Sequence, residues 1–270
     1  MSSDIKNPFV SVVIAVYNGA KTLPATLACL TKQTFRDFEI ILVNDESKDD
    51  SEKIIHNFSQ AHPQITLQYI TQKNKGLGGA RNTGMRHARG EVISLLDQDD
   101  IWYPKKIEEI ARVFQQSPEV SFVTHHLQRR VAGQLKDELK CDFMAGNVFH
   151  KLLFHGNYFC GSAMSFRKNL LQTLGYFSEG KKEFDLSEDY DYWLRAAAKR
   201  YRFHVIPRVL GEYIVHSSNF SKNKLMMFRN EWNIVKEHYQ KRPSKHWLDP
   251  LCLCKRRGKI LAREILARVA

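Results

Sequence analysis

The stretch N74-KGLGGARNTGMRHARGEVISLLDQDDIWY-P104 decides the fold. Its glycines make a loop that opens a helix reaching Ala88, and EVISLL then reads as a buried strand. That strand runs into three acids within four positions, Asp97, Asp99 and Asp100. Carboxylates packed this closely repel one another unless a cation or hydrogen-bond donors hold them. A divalent metal carrying a phosphorylated ligand is the expected partner. The glycines are not spaced as a dinucleotide G-x-G-x-x-G, and no phosphate-loop lysine follows them.

Working outward, the same alternation repeats. FVSVVIAVY (Phe9 to Tyr17) is rich in β-branched residues, stops at Asn18-Gly19, and reads as a strand buried on both faces. A helix follows from about Thr22, with Leu23, Leu27 and Leu30 on one face and Pro24 in its first turn. FEIILV (Phe38 to Val43) is a second strand, Ile54, Ile55 and Phe58 mark a helix, and ITLQYI (Ile65 to Ile70) is a third strand. PKKIEEIARVFQQ and VSFVT supply a further helix and strand. Strands and helices alternating in this way imply an α/β fold with a mostly parallel sheet flanked by helices. Ligands bind such sheets beyond the carboxyl ends of the strands. The polar loops at Tyr17 to Gly19, Asn44-Asp45, Gly76 to Asn82 and Asp97 to Asp100 are therefore expected to converge. Val131 to Asn147 reads as an irregular loop over that site, His125 and His126 as ordinary loop residues, and the chain turns helical and basic after Asn219.

Composition narrows the partners. Hydrophobic content of 43% with 26% charged residues is that of a soluble globular protein. No apolar run approaches the roughly 20 residues that span a bilayer, and the N-terminus lacks a signal-peptide pattern. Five cysteines without zinc-ligand spacing read as reduced thiols, so a cytoplasmic location is expected. A net charge of +12 calls for an anionic partner. No nucleic-acid-binding motif is present, which leaves a phosphorylated substrate or an anionic membrane surface. In the tail KRRGKILAREILARVA, Ile260, Leu261, Ile265, Leu266 and Val269 recur at helical spacing among Lys255, Arg256, Arg257, Lys259, Arg263 and Arg268. Such a helix either lies peripherally in a membrane interface or packs on the core with a solvated outer face.

Five segments in order resemble the family 2 glycosyltransferases: SVVIAVYNG, VNDESKDDS, NKGLGGARNTGMRHARGEVISLLDQDD, SEDYDYWLRAA and YIVHSSNFS. The resemblance implies a GT-A fold over residues 1–219, followed by a basic helical extension over residues 220–270. Within that fold, residues 1–103 would bind the nucleotide, and residues 104–219 would take the acceptor and carry the catalytic base. It also implies an inverting transfer from a UDP-sugar to an acceptor hydroxyl, with Mn²⁺ or Mg²⁺. The acceptor would be a glycan, lipid-linked in some relatives, in envelope polysaccharide, lipopolysaccharide or glycolipid synthesis.

Site residues follow from the matched motifs. Asp99 is expected to bind the metal and Asp97 the ribose or donor sugar, with Gln98 between them and Asp100 supporting the loop. Asp45 would accept the uracil N–H, and Tyr17 would stack on the base, with Ala15 and Asn18 in the same turn. Gly79 allows close backbone approach, and Arg81 would face the diphosphate or the base. Asp189 is the expected general base, ahead of Glu188 and Asp191, and His216 a second metal ligand. Trp193 and Leu194 form the buried face of the helix bearing Asp189, while Trp102 is expected to wall the donor pocket. Blander readings exist for single motifs: acids at a helix start, an Asx turn at Asn44-Asp45, and a helix cap at Ser187. A sugar-nucleotide pyrophosphorylase would carry a glycine-rich loop directly after the first strand, where Tyr17-Asn18-Gly19-Ala20 stands. An inactive binding protein at a membrane surface would have no need of Asp99, Asp189 and His216.

Overall fold

Alternate side chains of β1 (Val10–Val16) enter two different cores. Val10, Val12, Ile14 and Val16 join one, and Val13 the other. That is the two-residue strand period with both faces covered, and it accounts for the unbroken apolar run. β2 (Phe38–Asn44) divides in the same way, with Ile40 and Leu42 on the first face and Ile41 and Val43 on the second. β3 (Thr66–Thr71) pairs in parallel with β2, while β2 and β4 (Val92–Leu95) both pair in parallel with β1. The first face is covered by α1 (Leu23–Thr31), α2 (Ser51–Ala61) and α4 (Lys106–Gln116), and the second by α3 (Gly76–His87). At Gly84 of α3 an added Cβ would come within 2.4 Å of Val13 Cγ1, so only glycine lets this helix lie so close on the sheet.

This computed structural model describes residues 7–141, 146–180, 186–216, 224–242 and 249–269. Beyond β4 come β5 (Ile101–Trp102), β6 (Phe122–Val131), β7 (Gln134–Leu139), α5 (Val148–His155), β8 (Ser165–Arg167), α6 (Leu171–Leu174), α7 (Glu188–Ala198), β9 (Phe203–Val215), α8 (Lys224–Lys241) and α9 (Asp249–Val269). Among the described residues the sheet has nine strands in the order β3-β2-β1-β4-β8-β6-β9-β5, with β7 on β6. The expected α/β class and flanking helices are present.

Two local expectations are corrected. The stretch from Val131 to Asn147, expected as an irregular loop, contains β7, which folds back on β6 with Val131 opposite Gln134. Ala132 and Gly133 make the turn, both at positive φ (48° and 79°). Turns of that hand usually announce themselves as Asn-Gly or Asp-Gly, and Ala-Gly hides the signal. Residues 142–145 of that stretch lie outside the described residues. His125 and His126 are buried residues of β6, not loop residues.

Burial holds His125 neutral, its pKa lowered to about 3, and its Nε2 has no hydrogen-bond partner among the described residues. A histidine depressed in the folded state contributes stability that is complete above its ordinary 6.5 and is lost as pH falls towards 3. Urea unfolding across that window is expected to show acid lability of a few kcal/mol, because each tenfold loss of proton affinity is worth about 1.4 kcal/mol. His125→Gln should flatten this slope, and an unchanged slope would assign the lability elsewhere.

The segment after Asn219 shares its core with the rest of the chain. Ile234 and Val235 of α8 are fully buried in the second core, and His238 Nε2 lies 2.8 Å from Asp191 Oδ1 of α7. From α9, Ile260 and Arg256 are fully buried; Arg256 pairs with Glu231 and donates to the His155 carbonyl at 3.2 Å. Among the described residues no helix is long and apolar enough to cross a membrane.

Candidate active site

The four polar loops converge, as expected, on one cavity of about 1080 Å³ at the carboxyl ends of β1, β2 and β4. Ala15, Tyr17, Asp45, Gly79, Arg81, Asp97, Gln98, Asp99 and Asp189 all line it. Asn18 and His216 are not among the lining residues.

Side-chain-to-backbone bonds fix the loop after β1. The Gln98 side chain mimics a strand partner: its Oε1 accepts from Tyr17 N at 2.9 Å and its Nε2 donates to Tyr17 O at 3.1 Å. Asn18 adopts positive φ (49°), which its short polar side chain tolerates. Its Oδ1 accepts from Lys48 N at 2.8 Å, and its own N–H donates to Ser47 Oγ at 3.0 Å, which laces the first two loops together. Asp45 is buried, and its Oδ1 accepts from Gln72 Nε2 at 2.7 Å and Lys75 N at 2.9 Å.

The three acids after β4 are in three different environments. Asp100 is fully interior and accepts from Ile214 N at 2.9 Å, which secures the end of β9 beneath the loop. Asp97 takes a bond from Arg81 Nη2 at 2.5 Å, and its own N–H donates to Ser162 Oγ. Asp99 Oδ2 lies 2.9 Å from His216 Nε2. Burial and then the neighbouring Asp97 raise the Asp99 carboxyl above its ordinary range, with His216 opposing. Trp102, expected in the pocket wall, is instead a core residue. Its Nε1 donates to Ser162 O at 2.7 Å, and Lys106 Nζ sits 3.3 Å from the ring centroid.

Facing these acids is the N-terminus of α7. Aromatic packing holds the helix: Phe122, Phe166 and Phe177 meet Tyr192 and Trp193 edge-on or tilted, and Trp193 and Leu194 are fully buried as expected. Glu188 and Asp189 begin the helix, and Ser187 makes no side-chain cap bond, so capping does not account for the acids. Glu188 is buried against Arg81 at 3.2 Å, and burial pushes its pKa up to about 7 despite that cation. Asp189 is half-buried on the cavity wall. Burial raises its pKa, while Arg81 and the Tyr190 N–H at 2.6 Å pull the other way. Asp191 points elsewhere, bonded to Ser178 Oγ, Arg195 Nε and His238 Nε2, and is a packing residue.

Arg81 therefore sits between Asp97 and Glu188, joining the loop after β4 to the helix that bears Asp189. Burial disfavours its charge, but Asp97, Glu188 and Asp189 hold it protonated well above the ordinary range. The sequence does not reveal this pairing, because the two partners of Arg81 stand 16 and 107 positions away. Nor does it reveal that Leu139, Phe159, Met226, Met227 and Glu231, mostly apolar residues in stretches without a motif, line the same cavity as Tyr213 of the YIVH segment. Among the described residues no group of three or more His, Cys, Asp or Glu is gathered as a metal site. The pair Asp99 and His216 does fit a cation that takes its remaining ligands from phosphates and water.

A family model described as Glycosyl transferase family 2 matches residues 11–175, more than half of the chain. An uncharacterized glycosyltransferase of Rickettsia prowazekii is 26% identical over 246 residues, covering 86% of this chain and 73% of that protein. Among solved structures, residues 1–349 of S. aureus TarS in complex with UDP-GlcNAc align with a TM-score of 0.71 at 18% identity, covering 94% of this chain and 72% of that one. A Pyrobaculum calidifontis mannosyltransferase in complex with GDP-Man and Mn²⁺ aligns with a TM-score of 0.64 at 19% identity, covering 97% and 76%. At these identities the solved structures speak for the fold.

Proposed function

The chain belongs to glycosyltransferase family 2 and is a glycosyltransferase, and on that premise we propose that it transfers a sugar from a UDP-sugar to an acceptor hydroxyl with inversion. The observation that carries this reading is the meeting of Asp45, Asp97, Asp99 and Asp189 on one cavity, from positions spread across the chain. Asp45 receives the uracil N–H on Oδ2, since Oδ1 already takes two bonds. Tyr17 stacks on the base, in a turn shaped by Ala15, Asn18 and Gln98. Asp97 accepts from the ribose or donor sugar, held in place by Arg81, and Gly79 lets the backbone approach. Asp99 and His216 hold Mn²⁺ or Mg²⁺, which when bound neutralises charge on the departing diphosphate.

Asp189 takes the proton of the acceptor hydroxyl as its oxygen attacks the anomeric carbon from the face opposite the diphosphate. The apolar wall of Phe159, Tyr213, Met226 and Met227 supports an acceptor with an apolar portion, such as a lipid-linked envelope glycan. Polysaccharide, lipopolysaccharide or glycolipid synthesis on the cytoplasmic side is the matching role.

The test is UDP release by the purified chain against a panel of nucleotide sugars. One UDP-sugar should stand above the rest, and release from a GDP-sugar alone would overturn the base assignment. The general base must be ionised to act and its pKa is raised. Log kcat/KM should therefore climb with unit slope on the acid side and level off above the ordinary carboxylate range.

A further inference from the structure

The tail helix is inverted. The face of α9 that packs against the protein carries Arg256, Ile260 and Glu264, so two of its three most buried central residues are charged. The outward face carries Leu251, Leu261, Ile265 and Leu266, exposed by 53%, 40%, 61% and 69%. At 3.6 residues per turn these four fall within one arc of about 140°. They are four of the six exposed large hydrophobic residues among those described. The sequence grouped Ile260 with Leu261, Ile265 and Leu266 on one apolar face; the fold takes Ile260 inward and leaves the other three outside. The helix packs on the core, yet its outer face is not the polar one that a solvated surface helix presents.

The charge on that outer face has one sign. Lys255 and Lys259 are exposed on it, while Arg263, half-exposed towards α8, lies 4.0 Å from Glu231. The two acids of α9, Asp249 and Glu264, are buried against Arg242 and Arg257. No carboxylate of this helix therefore offsets the cations outside. A second copy of the chain would bring the same cations against each other, whereas an anionic lipid surface complements both the apolar arc and its charge. The net charge of +12 acts in the same direction.

We propose that the outward face of α9 docks on an anionic bilayer. Leu251, Leu261, Ile265 and Leu266 enter the boundary between headgroups and acyl chains, and Lys255 and Lys259 meet lipid phosphates. This goes beyond the transfer reaction and does not depend on it, since docking is read without turnover.

The experiment is co-sedimentation of the full chain with vesicles of phosphatidylglycerol and phosphatidylcholine, against phosphatidylcholine alone. Binding is expected only to the anionic vesicles and should fall as salt rises. The exposed pair Ile265→Ser with Leu266→Ser should lower the partition coefficient at least ~10-fold. Lys255→Gln with Lys259→Gln should lower it ~30-fold for the pair and flatten the salt dependence. In Leu266→Trp, emission should shift to the blue on anionic vesicles only. All three variants should keep wild-type UDP release with a soluble acceptor. Failure of the wild-type chain to sediment with anionic vesicles, or unchanged partitioning of the serine variant, would overturn the proposal. Loss of a concentration-dependent dimer in the serine variant, without vesicle binding by the wild type, would assign the face to a second copy instead.

Discussion

Asp189→Asn is expected to slow sugar transfer at least ~100-fold, the scale of removing a general base, while nucleotide binding stays within about twofold. The substitution keeps shape and an acceptor oxygen for the Tyr190 N–H, so α7 should start as before. What is lost is the ability to take a proton. A hundredfold corresponds to about 2.7 kcal/mol of transition-state stabilisation, at about 1.36 kcal/mol per factor of ten. The loss should fall on kcat more than on KM.

The neighbours make the result diagnostic. Glu188 is engaged by Arg81, which Asp97 also binds, so Glu188→Gln should disturb donor binding and rate together. Asp191→Asn weakens the link from α7 to His238 and Arg195, so it should lower thermal stability with the rate of the folded fraction largely kept. Near-normal transfer by Asp189→Asn would move the role to Glu188. The product anomer, read by NMR, should be inverted relative to the donor, as attack from Asp189's side requires.

The sequence discloses those features of this protein that rest on local rules. Runs such as VSVVIAV and FEIILVN can only be strands covered on both faces, and their polar ends had to meet at one edge of the sheet. Acids that crowd after β4 and at the start of α7 are visible as charge without local compensation. What escapes the sequence depends on partners far along the chain. Arg81 reads as a ligand-facing side chain, and nothing near it in the sequence shows that Glu188 also stands against it. Trp102 reads as a pocket wall until Lys106 and Ser162 are found holding it in the core. The β6–β7 hairpin escapes for another reason, an Ala at positive φ where Asn would have signalled the turn. The inverted tail helix is illegible because periodicity gives a face but not its direction, and the buried pair Arg256 and Glu231 turns that face outward.

Asp99→Asn is expected to abolish most turnover, at least ~100-fold, because charge stabilisation on the leaving group is worth several kcal/mol. It should weaken UDP binding only when a divalent cation is present. Chelation should silence the wild type, and Mn²⁺ should restore it at least as well as Mg²⁺, since the imidazole of His216 suits Mn²⁺ better. His216→Ala should then narrow the difference between the two metals. Full activity in excess chelator would refute the assignment. A second readout separates this role from that of an acid at a helix start. Burial and the nearby Asp97 raise the Asp99 carboxyl, so its ionised form costs stability at neutral pH when no cation is bound. For such a group stability is greatest at low pH, where the proton is held, and declines as pH rises through the folded-state value. Asn removes that charge and can still hydrogen-bond His216, so the metal-free variant should melt at or above the wild-type temperature. An acid that merely favours a helix N-terminus predicts the opposite sign, a lower melting temperature on neutralisation. A variant that gains stability without metal and loses nucleotide binding with it identifies Asp99 as a residue kept for its ligand at the expense of the fold.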